Sequence, residues 1–156
     1  MSLHLNADHL QVLRSHAEQA YPDECCGLLL GRSQQVGQLV EVQPVDNDWN
    51  PQLAQTLDDD TAFGKARRYG INPQAMLKGM QTARSRGLDI IGIYHSHPDH
   101  PAIPSECDRR LAWPQYFYII LSVHQGQVQD IQNWQLDASH QFQAKPISLT
   151  PLPPFC

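Results

Sequence analysis

The sequence has few cysteines and none of them forms a C-x-x-C pair. The four are Cys25, Cys26, Cys107 and Cys156, and their spacing matches neither a zinc ribbon nor a thioredoxin-like redox motif. The longest apolar runs, such as 116–123, are far shorter than the roughly 18 to 20 residues that cross a bilayer. The N-terminus lacks a basic segment followed by an apolar one. We therefore expect a soluble protein of the reducing cytoplasm, with no membrane partner.

The chain also has little excess positive charge. Its 156 residues include 11 Lys plus Arg against 16 Asp plus Glu, a formal net charge of -5, which argues against sequence-independent binding to nucleic acid. Hydrophobic residues make up 41% of the chain, enough for a buried core. We expect one domain over residues 1–149, followed by a proline-rich, extended or frayed tail over residues 150–156.

Apolar periodicity predicts a mixture of helices and strands. A helix begins near Asn6 or Asp8 and is stopped by Pro22, and a short helix extends from Ser105 to about Ala112. Strands are predicted over 26–31, 36–45, 88–94, 116–124, 127–136 and 141–149.

Residues 46–72 show a weaker pattern. We expect a long loop here with one short strand near residues 66–71. Asn72 and Pro73 then predict the start of a helix that ends at Gly87. We expect its apolar stripe to face the core through Met76, Leu77, Met80 and Ala83.

The chemically informative segment follows the strand at 88–94. His95 and His97 are two apart, so on a strand both imidazoles face one side. The short helix that follows carries Ser105 and Asp108 three residues apart, on one face. Two imidazoles and a carboxylate suit zinc, and three protein ligands leave a fourth position for water. Glu24 precedes the first buried strand and is a candidate to move the proton of that water.

Each of these residues has a simpler interpretation. Ser105 and Asp108 match a helix capping box, His95 and His97 can be polar residues at a strand end, and Glu24 can be a surface acid. Small buried hydrophobic roles are favoured for Cys25, Cys26 and Cys107 over a nucleophilic role. His100 lies in the loop between the ligands, where solvent exposure is favoured over contact with substrate. We expect the remaining histidines to be ordinary residues without partners: His4, His9, His16, His124 and His140.

Taken together, Glu24, His95-Ser96-His97-Pro98 and Ser105-Glu106-Cys107-Asp108 resemble the full E…H-x-H-P-x6-S-x-x-D signature of the JAMM (MPN+) zinc metallopeptidases. Residues 21–31 and 87–94 also resemble the corresponding segments of bacterial members, including single-domain members associated with ubiquitin-like sulfur carriers. The resemblance extends from about Asn6 to Ile147.

The resemblance implies a mixed α/β (α+β) fold, with a curved mixed β-sheet flanked by helices and a cytidine deaminase-like architecture. It implies Zn²⁺ held by His95, His97 and Asp108, with Glu24 as general acid/base and Ser105 stabilising the oxyanion. The implied reaction is hydrolysis of a peptide or isopeptide bond after the C-terminal Gly-Gly of a ubiquitin-like or sulfur-carrier protein.

Two further functions are weighed against this one. Many MPN domains are non-catalytic binding or scaffold modules, although those typically lack part of the ligand set that this chain retains. A DNA-repair-associated relative carries an H-N-H-P version of the motif, whereas this chain has Ser96 and an acidic charge balance. The H-x-E…P-C-x-x-C pattern of zinc deaminases is absent.

Overall fold

The computed structural model describes residues 1–152. Within them the chain forms four helices, α1 (Ala7–Ala20), α2 (Pro51–Thr56), α3 (Pro73–Ser85) and α4 (Glu106–Leu111). It also forms eight strands, β1 (Leu3–Leu5), β2 (Cys26–Ser33), β3 (Gly37–Val45), β4 (Asp89–Pro98), β5 (Phe117–His124), β6 (Gln127–Leu136), β7 (Phe142–Lys145) and β8 (Ile147–Leu149).

The eight strands form one curved sheet in the order β7-β6-β5-β4-β2-β3-β1-β8. β4 is parallel to β5, and β1 is parallel to both β3 and β8, whereas the remaining neighbours are antiparallel. The predicted mixed sheet flanked by helices is therefore confirmed.

Helices cover both faces of the sheet. α1 packs against β3, β5 and β6, and α3 packs on the other face against β2 and β4. The α1 face carries the larger apolar cluster, which includes Leu13, Leu29 and Phe117. The α3 face carries a smaller one, which includes Leu28, Ala83 and Ile93. The central strands are thus buried on both sides, as expected where helices cover both faces.

Local signals account for where the longer helices begin. The Asn6 side chain accepts a hydrogen bond from the backbone N–H of His9 and caps α1. Asn72 caps α3 and Pro73 occupies its first turn. Gly87 follows α3 with a positive φ of 69°, a conformation that glycine adopts without steric cost. The predicted starts and stops of these helices are confirmed.

The segment 46–72 departs from the prediction in two ways. It contains α2, capped by the Asn50 side chain with Pro51 in the first turn. The short strand predicted near residues 66–71 is wrong. Backbone groups there bond to single, separate partners instead of a neighbouring strand: Gly70 O accepts from Asp48 N–H, and Gly70 N–H donates to the Asn47 side chain.

The chain ends also differ from the prediction. The strand predicted over 141–149 is divided into β7 and β8, because Pro146 has no N–H to donate to a continuous ladder. β8 instead pairs with β1, a strand that the periodicity did not indicate. The predicted tail begins beyond β8, and its residues 153–156 lie outside the described part of the chain.

The predicted apolar stripe of α3 is only partly correct. Ala83 and Gly79 are buried against the sheet, but Leu77 and Met80 are 55% and 48% exposed. A Cβ at Gly79 would lie 2.3 Å from Leu28 Cδ1, so small residues let α3 approach β2 closely. Because Gly79 and Ala83 form the face of α3 that contacts the sheet, the Leu77 and Met80 side chains lie on its solvent side.

No helix within residues 1–152 combines the length and the apolar character needed to cross a membrane.

Candidate metal centre

His95 and His97 lie at the end of β4, where their side chains project from one face. Ser96 points to the opposite face, and its hydroxyl accepts a hydrogen bond of 2.8 Å from the backbone N–H of Cys25. The face that the imidazoles take is set by a register shift between β2 and β4, which leaves Ile91 without a partner on β2. Ile91 belongs to the α1-side cluster, whereas Ile93 belongs to the α3-side cluster. The irregularity therefore places both imidazoles on the α3 side.

Asp108 is delivered to the same place by α4. The Ser105 hydroxyl accepts from the Asp108 backbone N–H at 3.0 Å, and Asp108 Oδ2 accepts from the Ser105 backbone N–H at 2.8 Å. These two bonds are a capping box. The same Oδ2 atom lies 3.2 Å from His95 Nε2. The capping interpretation and the ligand interpretation are therefore compatible, since the cap fixes the carboxylate beside the imidazoles.

Three potential ligand atoms converge at this point. His95 Nε2 lies 3.1 Å from His97 Nε2, and the Asp108 Oδ2 atom lies 3.2 Å from the first and 3.3 Å from the second. A tetrahedral metal with ligands about 2.0 to 2.1 Å away would hold them about 3.3 Å apart. The three residues thus fit a metal ion, and no other group of three described residues satisfies the same spacing.

The protonation states of these three side chains also favour the binding of a cation. His97 Nδ1 lies 2.8 Å from the Pro101 carbonyl oxygen, which can only accept, so Nδ1 carries the proton and a neutral His97 presents a lone pair at Nε2. Burial lowers the pKa of His95, which favours its neutral form. Burial would by itself raise the pKa of Asp108, but its interactions with the neighbouring His95 and His97 imidazoles hold it well below its usual value, so it is a carboxylate. Two imidazole lone pairs and a carboxylate then face one point.

Glu24 and His97 line the same cleft. The antiparallel pairing of Cys26 with His95 brings the residues just before β2 toward the end of β4. The Glu24 backbone is held on both sides: its N–H donates to Lys65 O at 2.8 Å, and its carbonyl accepts from Asn47 Nδ2 at 3.0 Å. The side chain is buried, at 6% exposure for the residue. Burial, aided by the negative charge of Asp108, raises the pKa of Glu24 well above its usual value.

A narrow cleft joins Glu24 to the candidate metal-ligand group, which consists of His95, His97 and Asp108. It has a volume of about 210 Å³ and is lined by Glu24, Arg67, Arg68, His97, His100, Pro101, Ile103 and Ser105. A larger cavity of about 410 Å³ opens beside Asp108, and its apolar lining includes Leu53, Leu57, Met76, Leu111 and Trp113. Glu24, His97 and Ser105 therefore line one cleft, as does His100. His95 and Asp108 lie next to it through their contacts with His97.

Several residues at the site carry no recognisable sequence signal. Tyr69 stacks on His95 with ring centroids 4.4 Å apart. The Asn47 side chain donates to the carbonyls of both Glu24 and Arg68 and so ties the segment 46–72 to the start of β2. These contacts join residues 21 to 26 positions apart in the chain, where periodicity carries no information.

The other histidines and the three described cysteines, Cys25, Cys26 and Cys107, lie outside the candidate metal-ligand group. The prediction that the histidines lack partners is wrong for most of them, since the folded chain places hydrogen-bonding groups next to their rings. His9 Nε2 lies 2.9 Å from Val40 O, and His16 Nδ1 lies 2.7 Å from Tyr94 Oη. His4 and His140 also have partners. Cys25 and Cys26 are buried as expected, and burial raises the pKa of the Cys25 thiol to about 12. Cys107 is only partly buried.

The sequence matches known proteins over most of its length. The family model Prok-JAB, which describes prokaryotic homologs of the JAB domain, matches residues 6–137. A Haloferax volcanii protein named desampylase is 33% identical over 126 residues, which cover 77% of this chain and 80% of that protein. A Thermus thermophilus protein named as a probable TtuB-protein conjugate cleaving protease is 32% identical over 111 residues. That match covers 71% of this chain and 64% of the Thermus protein.

Solved structures also resemble this chain over most of its length. The solution structure of a Desulfitobacterium hafniense protein has a TM-score of 0.78 at 26% identity and covers 97% of this chain and 94% of its own. The crystal structure of a JAB1/MPN domain protein from Archaeoglobus fulgidus has a TM-score of 0.52 at 18% identity, over 95% of this chain and 99% of its own. The latter similarity concerns the fold alone. The chain therefore belongs to the Prok-JAB family of prokaryotic JAB-domain homologs and has the JAB1/MPN fold.

Proposed function

We propose that this chain is a zinc-dependent peptidase or isopeptidase that cuts after the C-terminal Gly-Gly of a ubiquitin-like or sulfur-carrier protein. The observation that carries the proposal is the convergence of His95 Nε2, His97 Nε2 and Asp108 Oδ2, 3.1 to 3.3 Å apart, at a cleft that Glu24 also lines. The relatives named desampylase and TtuB-protein conjugate cleaving protease support hydrolysis of a protein conjugate.

The mechanism assigns one task to each residue. Zinc held by His95, His97 and Asp108 would polarise the scissile carbonyl and lower the pKa of a bound water to about 7. Glu24 accepts a proton from the attacking water and donates it to the departing amine, a role that suits a buried carboxyl whose pKa is raised. The Ser105 hydroxyl hydrogen is not used by the capping box, since Ser105 Oγ accepts there. It donates to the carbonyl oxygen as negative charge develops.

The dimensions of the cleft support small residues at the cut. Its volume of about 210 Å³ is below the roughly 300 to 1,000 Å³ of drug-sized ligand pockets. An extended backbone with glycine on the acyl side of the cut suits a cleft of this size. The apolar cavity beside Asp108 is large enough for an apolar side chain farther from the cut.

Two further proposals concern the domain organisation and the cellular location of the protein. We propose that residues 1–149 act as one domain, because the sheet that carries the site extends from β1 to β8. We also propose a reducing, cytoplasmic location, which the free thiols of Cys25, Cys26 and Cys107 support.

Elemental analysis combined with turnover tests the function. Purified protein is expected to hold about one zinc per chain, and Asp108→Ala is expected to lose most of it. Glu24→Gln is expected to keep the zinc but to lose turnover of carrier proteins extended after Gly-Gly, followed by mass spectrometry.

The scaffold alternative makes the opposite prediction. A non-catalytic MPN-type module would bind partners without zinc, so wild-type protein that neither contains nor takes up zinc would support it. Unchanged turnover in Glu24→Gln would remove Glu24 from the proton-transfer role.

A further inference from the structure

The Arg67 guanidinium lies on the wall of the cleft and forms no ion pair with a described residue. It lies over the Phe63 ring, with 5.0 Å from Cζ to the ring centroid. Within residues 1–152 no carboxylate oxygen lies within 4.0 Å of it. Stacking uses the face of the guanidinium and leaves its N–H edges free. Arg67 is therefore a cation with unused donors at the cleft.

Its neighbour Arg68 also lies over the Phe63 ring, with 4.3 Å from Cζ to the centroid, but it differs from Arg67 by forming an ion pair. Arg68 Nε donates to Asp59 Oδ2 at 2.6 Å, and Nη1 donates to the carbonyl of Arg67 at 2.9 Å. The charge of Arg68 is thereby compensated inside the segment, and the residue is half-buried. Arg68 supports the wall, and Arg67 is left to meet an external anion.

Arg67 shares this wall with the proposed general acid/base. The Glu24 backbone N–H donates to the carbonyl of Lys65, two residues before Arg67. Glu24, Arg67 and Ser105 line the same cleft of about 210 Å³. If Glu24 protonates the departing amine, the departing fragment lies next to Arg67. The carboxylate carbon of an amino acid is only about 2.5 Å from its own amine nitrogen. Glu24 could therefore protonate the amine while Arg67 binds the carboxylate of the same departing residue.

We propose that Arg67 is a specificity-determining residue that binds a carboxylate on the departing fragment of the substrate. This role rests on the proposed hydrolysis at the cleft. A guanidinium binds a carboxylate through two parallel N–H···O bonds, and Arg67 is exposed, so its N–H edges are accessible to a substrate. The carboxylate comes either from the free C-terminus of the departing residue or from its acidic side chain.

The test compares three probes that differ only beyond Gly-Gly. One carrier protein is extended by alanine with a free carboxylate, by alanine amide, or by glutamic acid α-amide. Dissociation constants are measured with zinc-loaded Glu24→Gln protein, so that the probes stay intact, and kcat/KM is measured with Glu24 present.

With Arg67 in place, a carboxylate probe is expected to bind about tenfold more tightly than the amide probe. The lower Kd of the two carboxylate probes shows whether Arg67 prefers the C-terminal carboxylate or the side-chain carboxylate. Arg67→Gln is expected to bring the acid-to-amide ratio of Kd close to one, and Arg67→Lys to keep part of it. The ratio should also shrink as NaCl is raised.

Arg14→Gln is the matched control, because Arg14 is an exposed arginine on α1 and its replacement removes the same charge. It is expected to leave the ratio unchanged. A merely electrostatic influence of Arg67 on Glu24 would change kcat for all three probes alike and leave the Kd ratio at its wild-type value, which would contradict recognition.

The outcomes separate this proposal from the proposed function. A Kd preference that depends on Arg67, with no cleavage of any probe, supports the carboxylate site and rejects hydrolysis. Cleavage of all probes with equal Kd values, or no measurable binding of any probe, overturns the carboxylate site.

Discussion

Ser105 combines a structural and a chemical task at the first turn of α4. Its Oγ accepts from the Asp108 N–H and so caps the helix that carries this proposed metal ligand. Its hydroxyl hydrogen remains available for the proposed oxyanion. Loss of the side chain would therefore affect stability through the cap and turnover through the missing donor, and these two effects can be separated by the choice of substitution.

Ser105→Gly is predicted to lower turnover about 100-fold or more, because one oxyanion donor is lost. Its unfolding free energy should fall by only a few tenths of a kcal/mol, because glycine is a tolerated N-cap. Ser105→Ala should lose turnover equally and cost about 1 kcal/mol. Kinetics, urea unfolding and zinc content measure the three effects. Wild-type turnover in Ser105→Gly would show that the hydroxyl only caps α4.

At the scale of elements, the segment between β3 and α3 builds one wall of the cleft. Asn47 ties its start to Glu24, and the ion pair of Asp59 with Arg68 closes it near the end of α2. Cys107 Sγ also lies 3.6 Å from the same Asp59 oxygen. The ion pair thus connects two parts of the segment to each other and lies next to α4. Its loss should therefore destabilise the wall of the cleft that this segment forms.

Asp59→Asn is predicted to change the pH dependence of stability. The hydrogen bond from Arg68 lowers the pKa of Asp59 in the folded chain, below the value of about 3.9 in an unfolded chain. The ionised carboxylate therefore stabilises the fold above about pH 4, and this contribution is lost as the pH falls through the folded pKa. The variant should lose up to about 1 kcal/mol at pH 7, and this loss should shrink as the pH falls through the folded pKa of Asp59.

Urea unfolding at pH 7 and pH 3 measures this difference. Asp58→Asn serves as the control, because Asp58 is in no ion pair of the described residues. Parallel pH profiles for wild type and Asp59→Asn would contradict the predicted role.

The same segment shows where sequence reasoning was incomplete. Asn50 and Pro51 begin α2 with the signal that correctly predicted α3 at Asn72 and Pro73, but α2 has too few residues for a periodic stripe. The strand predicted over 66–71 had suitable residues and no neighbouring strand to bond with. Strand formation depends on a partner, which local sequence does not reveal.

At the scale of the whole molecule, the two ends of the described chain meet in the sheet. β1 runs parallel to both β3 and β8 and places Leu3 and Leu5 in the core. Leu3 is fully buried, whereas Leu149 on β8 is 67% exposed. The N-terminal strand therefore stabilises the α1-side cluster, on the face opposite to the metal-ligand group.

Leu3→Ala is predicted to lower the unfolding free energy by about 2 to 5 kcal/mol, since a buried leucine leaves a cavity. Zinc per folded chain should be unchanged, because the proposed ligands lie on the α3 side of the sheet. Leu149→Ala is the matched control and should change stability by less than about 0.5 kcal/mol. Urea unfolding and elemental analysis provide both readouts, and equal effects of the two substitutions would contradict the burial argument.

The sequence by itself determined the order of most elements and the composition of the candidate site. The spacing of His95 and His97 required a shared face, because side chains alternate along a strand. The spacing of Ser105 and Asp108 required a shared helix face for the same kind of local reason. The E…H-x-H-P-x6-S-x-x-D pattern also indicated the family to which the chain belongs.

Only the tertiary structure decided which face of the sheet carries the imidazoles and what surrounds them. The register shift at Ile91 sets that face, because one extra residue on a strand reverses the side of all residues that follow. The stacking of Tyr69 on His95 and the position of Arg67 beside Glu24 likewise join distant parts of the chain. Such contacts follow from packing over the whole sheet, which no local pattern encodes.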